Sequence, residues 1–159
     1  MNKKNGFSLM ELIIVIVIIG ILISAVVGLN GQKETAKISA AEQVVIQLSN
    51  AAQSWAVMKA SENYTTVEIG DKTKAASLVG MGILPSEFDV EKANPWAGDI
   101  KIEKYSSSKN HFQIVLDNIP TNSCAALSNK FQNKAYVQPV CGTPVNTDKS
   151  ITSDITIVF

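Results

Sequence analysis

The chain has 159 residues, with 14 basic and 14 acidic side chains, so its formal net charge is zero. Every basic residue is a lysine. Arginine is the usual residue for bidentate contacts to phosphates and bases, so its absence and the lack of a basic patch argue against nucleic-acid binding. The length suits one small domain with an appended segment.

Few residues of the types that carry catalysis or bind metals are present. His111 is the only histidine, and the sequence contains no CxxC, HExxH, GxxxxGK[ST] or GxGxxG motif. We interpret His111 as a surface residue at the start of a strand rather than as part of a hydrolase triad. We therefore expect a protein that is not an enzyme and that needs no cofactor and no metal.

The N-terminus places a short positive segment, Met1 to Gly6, before a long apolar run. Leu12–Gln32 holds 21 residues without a charge, which exceeds the core of an ordinary signal peptide. As a helix this run would span roughly 30 Å, and no convincing cleavage site follows it, so we expect a retained transmembrane helix. Glu11 lies at its start, where an unpartnered carboxylate in lipid would cost roughly 2.5–3.5 kcal/mol.

Small residues recur inside this run. Gly20, Ser24 and Gly28 are spaced by four, so on a helix they would lie on one face. Such a face lets a second helix approach closely. The alternative is that small residues are simply common in membrane helices, and the spacing favours neither interpretation.

The helical pattern continues beyond the apolar run. Residues 33–60 contain no proline, and apolar residues recur at three- and four-residue steps from Ala41 to Ala56. One helix from about Phe7 to Ala60 would be roughly 80 Å long. Its second half is apolar on one side only, so we expect that side to pack against the rest of the chain.

Beyond Ala60 the pattern predicts several short elements. They are a helix near Lys74–Met81, a turn at Leu84–Pro85, a loop at Ala93–Asp99, a hairpin of Ile100–Tyr105 with His111–Ile119, a helix at Cys124–Asn133 after an N-cap cluster at Thr121–Ser123, and strands at Ala135–Val140 and Ile155–Phe159. Pro139 assigns its strand to a sheet edge, because proline cannot donate to the ladder.

Cys124 and Cys141 are the two cysteines of the chain. An even count beside an export-type N-terminus favours a disulfide formed in an oxidising compartment, and two free thiols in a cytosolic protein are the alternative. The bond would close a loop of about 15–20 residues and contribute on the order of 3 kcal/mol in the chain-entropy model.

The stretch KKNGFSLMELIIVIVIIG, from Lys3 to Gly20, resembles the N-terminus of the type IV pilin family. Prepilins carry a short basic leader ending in Gly, then usually Phe, then a Glu five residues into the mature chain, then a long apolar helix. The resemblance implies cleavage between Gly6 and Phe7 by a prepilin peptidase/N-methyltransferase, N-methylation of Phe7, and an assembly role for Glu11. The new amine on Phe7 would meet Glu11 within one subunit or between two.

The later part, with NPWAGDI before a hairpin and SCAALSNKF before a late cysteine, is similar to the b-class pilins. The leader is shorter than theirs, and Phe7 is the first residue typical of the a-class. The resemblance implies an α+β fold, in which a long N-terminal helix packs on a small antiparallel sheet as a pilin-like α/β roll. The implied divisions are a leader at 1–6, a transmembrane and polymerisation helix at 7–32, its amphipathic continuation at 33–60 and a globular domain at 61–159.

The resemblance implies a structural subunit that polymerises with copies of itself into an extracellular type IV pilus, a fibre class that serves cell adhesion among other roles. The precursor would cross the bacterial inner membrane once and would use the inner-membrane pilus assembly machinery as a partner. One alternative is a type II secretion pseudopilin or a minor pilin. Another is an unpolymerised single-pass membrane protein with an exported binding domain.

Overall fold

The computed structural model describes residues 9–60, 63–70, 73–86, 88, 94–147 and 150–159. The elements are α1 (Leu9–Met58), β1 (Ile100–Lys104), β2 (Phe112–Pro120), α2 (Thr121–Phe131), β3 (Val137–Cys141), β4 (Val145–Thr147) and β5 (Ser150–Val158). One long N-terminal helix with a small antiparallel sheet confirms the predicted α+β fold. The chain divides into two compact units, Met1–Ala36 and Lys37–Phe159, so α1 begins in the first and ends in the second.

The first unit contains the apolar beginning of α1. Val15, Ile16, Val17 and Ile19 each expose between 45% and 61% of their surface. Successive helix positions turn by about 100°, so these four side chains point to different sides of the helix. Within the described ranges no helix is both long enough and apolar enough to cross a membrane, so the predicted transmembrane segment is not confirmed.

The second unit is built around the apolar stripe of α1. Val45, Leu48, Ala52 and Trp55 follow one another at three- and four-residue steps and are at most 1% exposed. This stripe belongs to the same core as the inward-facing residues of β2 and β5, as the amphipathic pattern predicts. The indole N–H of Trp55 donates to the Ala76 carbonyl at 2.7 Å, so the one polar atom of this ring is satisfied inside the core.

The sheet has five strands in the order β1-β2-β5-β3, with β4 also paired to β5, and all four pairings are antiparallel. β1 and β2 form the predicted hairpin, in which Ile102 lies opposite Ile114. β3 pairs with β5 and lies at the sheet edge, where Pro139 was predicted to lie. The register of β3 against β5 shifts between Val137 and Val140, on either side of this proline.

The predicted helix near Lys74–Met81 is wrong, because the structure has a series of turns there. The backbone N–H groups of Leu78 and Val79 donate to the carbonyls of Glu68 and Ile69, at 3.0 and 3.1 Å. In a helix these two N–H groups would bond to carbonyls of the same helix. Here they attach Leu78 and Val79 to residues 68–69. A pairing of this kind depends on tertiary contact, which local periodicity does not report.

Further differences from the prediction lie at α2, β4 and β5. α2 begins directly after Pro120 and therefore includes Thr121, which was expected to belong to the capping cluster. No side chain caps the helix, and the Thr121 hydroxyl donates instead to the Ile151 carbonyl at 3.3 Å. β5 begins at Ser150, five residues before the predicted strand, and β4 was not predicted. The first residues of β5 and the whole of β4 lie in a polar stretch without an alternating apolar pattern.

The loop ahead of β1 is fixed by the side chain of Asn94, which is 3% exposed. Its Oδ1 accepts hydrogen bonds from the N–H groups of Trp96 and Gly98, at 2.9 and 3.0 Å, and its Nδ2 donates to the Asp117 carbonyl at 2.6 Å. A Cβ on Gly98 would lie 2.1 Å from the Asp117 carbonyl oxygen, so only glycine fits. The Asn94–Gly98 loop is therefore held closely against β2.

We predict that Asn94→Ala lowers the free energy of unfolding by about 3 kcal/mol, because it leaves buried backbone groups without partners. Urea unfolding of the detergent-solubilised full chain measures this, since both tryptophans, Trp55 and Trp96, lie in the second unit and report on it. Asn110→Ala, at an exposed position, serves as the control and should change stability by less than about 0.5 kcal/mol. A loss below about 1 kcal/mol for Asn94→Ala would contradict the role assigned to its amide.

Candidate functional site

The residues with predicted roles in processing and assembly lie at the start of the chain. The cleavage and methylation positions, Gly6 and Phe7, lie outside the described residues. Glu11 and the three small residues Gly20, Ser24 and Gly28 all lie in α1. Their roles in assembly and helix packing stay predictions.

Cys124 in α2 and Cys141 at the end of β3 are joined by a disulfide, with their Cα atoms 6.1 Å apart. The bond encloses α2, the following turn and β3, which we call the disulfide-bounded region (residues 124–141). The Ser128 hydroxyl donates to the Pro139 carbonyl at 3.0 Å, so α2 and β3 are also linked by a hydrogen bond. Covalent and polar contacts together stabilise this region against the sheet.

Glu42 of α1 also links the helix to the disulfide-bounded region. One carboxylate oxygen lies 2.6 Å from Lys130 Nζ, and the other lies 3.2 Å from Lys134 Nζ. These hydrogen bonds, that from Lys130 first, hold the pKa of Glu42 below its ordinary value of 4.5. The lysine side chains are 41% and 51% exposed, so solvent screens the pairs in part.

Sequence reasoning missed this carboxylate, because its partners lie 88 and 92 residues further along the chain. A weak signal existed. Glu42 is the only acidic residue from Lys37 to Ala60, a stretch in which most polar positions carry amides or hydroxyls.

His111 lies one residue before β2 and is half-buried, so it is more enclosed than the predicted surface residue. Its ring stacks on that of Tyr136 with centroids 3.7 Å apart, and its Nδ1 lies 3.0 Å from the Phe159 carbonyl oxygen. These contacts are typical of a packing residue. Within the described part of the chain, no group of three His, Cys, Asp or Glu side chains could hold a metal ion.

A long N-terminal helix, a small antiparallel sheet and a late disulfide define the class of a pilin-like protein. The family described as prokaryotic N-terminal methylation motif matches residues 1–27, and the family described as PilS N terminal matches residues 35–158. The chain therefore belongs to the PilS N-terminal family and is a type IV pilin-like protein that carries a prepilin-peptidase substrate signal. No curated protein and no solved structure matches it.

We predict that Glu42→Gln destabilises the chain at neutral pH and has little effect in acid. Because folding lowers the pKa of Glu42, its ionised form contributes stability above 4.5, and this contribution is lost as the pH falls through the lower folded-state pKa. After allowance for screening, we expect a loss of about 0.5–1 kcal/mol at pH 7, or roughly 3 °C in Tm.

Thermal unfolding of the wild type and of Glu42→Gln, measured from neutral pH down to below the folded-state pKa of Glu42, checks the prediction. Glu103→Gln is a matched control, because Glu103 is an exposed carboxylate hydrogen-bonded at 2.9 Å to the amide of Gln113. Because Glu103 contacts neither Lys130 nor Lys134, Glu103→Gln should leave the Tm at pH 7 close to that of the wild type. A Tm difference for Glu42→Gln that stays constant down to the acid limit would argue against the ion pairs.

Proposed function

We propose that the chain is the structural subunit of a type IV pilus. In this proposal the precursor crosses the bacterial inner membrane once, is cleaved after Gly6 and methylated on Phe7, and then polymerises through its N-terminal helix with copies of itself. The inner-membrane pilus machinery carries out assembly, and the product is an extracellular filament. The observation that carries the proposal is a methylation motif over residues 1–27 directly ahead of a pilin-type domain over 35–158.

The exposed apolar side chains of the first unit support the proposal. Val15, Ile16, Val17 and Ile19 would gain roughly 25 cal/mol for each Å² of apolar surface removed from water. Lipid before assembly and neighbouring helices after assembly would both provide apolar surroundings. Identical subunits in head-to-tail contacts that do not close into a ring form a filament.

In such surroundings Glu11 needs a partner, because an ionised carboxylate in an apolar environment is costly. The amine created on Phe7 lies four residues away in the sequence, which is one helical turn. It could meet Glu11 of the same subunit or of the next one. In the second case the carboxylate is most stable where a second copy of the helix is present.

The two alternatives predict different behaviour. A pseudopilin or minor pilin would share the N-terminus, but pseudopilins usually lack a C-terminal disulfide, so the Cys124–Cys141 bond supports a fibre subunit. An unpolymerised membrane protein would need neither processing nor Glu11. The scarcity of residues for catalysis supports a structural role rather than an enzymatic one.

We predict that Glu11→Gln and Glu11→Ala reduce the yield of surface fibres by about tenfold or more, because the Phe7 amine loses its partner. Electron microscopy and quantification of sheared fibres measure the yield. Immunoblots of whole cells should still show the processed chain, which separates a failure of assembly from a failure of cleavage.

Glu34→Gln is the matched control, since it removes one carboxylate from the same helix outside the apolar run. It should leave the fibre yield close to that of the wild type. Wild-type yields for both Glu11 variants would reject the assembly role of this carboxylate. If the wild-type chain itself stays unprocessed and forms no fibres, the result supports the unpolymerised membrane protein instead.

A further inference from the structure

The strand β1 lies at one edge of the sheet, with β2 on one side of it and no strand of the described chain on the other. The hydrogen bonds at its two ends show which of its backbone groups are used. The Asp117 N–H donates to the Asp99 carbonyl at 3.1 Å, and the Tyr105 N–H donates to the His111 carbonyl at 2.9 Å. Residues of an antiparallel strand alternate between bonding to the neighbour and pointing away from it, so the odd-numbered residues of β1 use their backbone groups on β2.

The even-numbered residues of β1 are Ile100, Ile102 and Lys104, and their N–H and C=O groups point to the outer side of the strand. Within the ranges that the structure describes, no backbone group is hydrogen-bonded to them on that side. A depression of about 190 Å³ lies against this edge, between residues 69–70 and Ile100–Ile102. The outer edge of β1 can therefore accept a further extended strand.

The side chains of β1 alternate between the core and the solvent. Its two isoleucines are 1% and 6% exposed, whereas Lys101 and Glu103 are exposed on the opposite face. The Lys101 ammonium lies 2.9 Å from a carboxylate oxygen of Asp117, and Glu103 accepts a hydrogen bond from the Gln113 amide at 2.9 Å. The exposed face of β1 thus presents one positive and one negative charge, two residues apart, at the open edge.

Charged side chains often protect an edge strand from pairing. In β1 the two signs instead distinguish between registers. Even-numbered residues must lie opposite even-numbered residues to be hydrogen-bonded, so two antiparallel copies that overlap by three strand residues or more are centred on Lys101, Ile102 or Glu103. Centring on Lys101 or on Glu103 places like charges directly opposite each other, which is destabilising. Centring on Ile102 places Lys101 of each copy opposite Glu103 of the other.

We propose that β1 pairs with β1 of a second copy of this chain, antiparallel and centred on Ile102. The outward backbone groups of both strands are then hydrogen-bonded, and two pairs of opposite charge lie across the junction. Lys104 of the second copy lies opposite Ile100, where the depression against the edge leaves room for its side chain.

This contact differs in symmetry from the polymerisation proposed above. It joins the same surface of two copies, so it is isologous and closes on itself, whereas a fibre grows through contacts that do not close. It uses residues of the second unit only and needs neither cleavage nor assembly. The unprocessed chain can therefore test it.

Cysteine cross-linking of the full chain in a non-ionic detergent identifies the register. Cys124 and Cys141 are bonded to each other, so an introduced cysteine supplies the free thiol. A chain with Lys101→Cys is mixed with a chain with Glu103→Cys, and one of the two carries an affinity tag so that the dimers differ in mass. In the proposed register these positions form a non-hydrogen-bonded pair with Cα atoms about 4.5 Å apart, within the range for a disulfide.

We expect the mixed dimer to exceed each homodimer by about tenfold on non-reducing gels, against about twofold for random encounters. In the control mixture, Lys109→Cys in the exposed loop after β1 replaces Lys101→Cys and should give only the proportions of random encounters. A dominant homodimer of either β1 variant would show a different register. A random mixture of the three dimers would show contact through α1 alone, and each of these results would overturn the proposal.

Charge reversal tests the two ion pairs without added cysteines. Lys101→Glu leaves two carboxylates on the exposed face of β1, and Glu103→Lys leaves two ammonium groups there. Each variant alone should dimerise about tenfold more weakly than the wild type in sedimentation equilibrium, whereas an equal mixture of the two should recover the wild-type affinity. Lys109→Glu makes the same change of charge outside the strand and should dimerise like the wild type.

Equal dimerisation of the wild type and both single variants would overturn the proposal, and so would a mixture that binds no more tightly than either variant alone. Thermal unfolding followed by tryptophan fluorescence establishes that each variant is folded. Normal fibres from a chain without the β1 cross-link would reject this contact and leave the proposed fibre subunit intact. A β1 cross-link in a chain that forms no fibres would do the reverse, so the two proposals fail separately.

Discussion

The second unit depends on the contact between the apolar stripe of α1 and the sheet. Val45, Leu48 and Trp55 are almost completely buried, and they belong to the same core as the inner residues of β2 and β5. A small sheet needs one of its faces covered by another element, and here the helix covers it. The methylation motif over residues 1–27 overlaps the beginning of the same helix.

Outside this core, individual covalent and polar contacts attach later parts of the chain. The disulfide-bounded region is closed by a covalent bond, and Glu42 connects it to the helix through two lysines. The Asn94–Gly98 loop is attached to β2 through the side-chain amides of Asn94 and Asn118. In a small domain with a limited hydrophobic core, the disulfide and the buried Asn94 amide are a large share of the net stability.

Periodicity predicted the elements that are long or regular. The helix α1 and the β1–β2 hairpin were found because their apolar residues recur at steps of the expected length over many positions. The turns near Lys74–Met81, the early start of α2 and the site of Glu42 were missed, since each depends on partners distant in the sequence.

The central claim is that the chain is a processed fibre subunit, and mass spectrometry of material sheared from the cell surface tests it most directly. The account predicts an abundant polypeptide that begins at N-methylated Phe7 and whose mass is lower by two hydrogens than that of the reduced form, because Cys124 and Cys141 are bonded. An intact N-terminus at Met1, found with the cells and not in the sheared fraction, would contradict it.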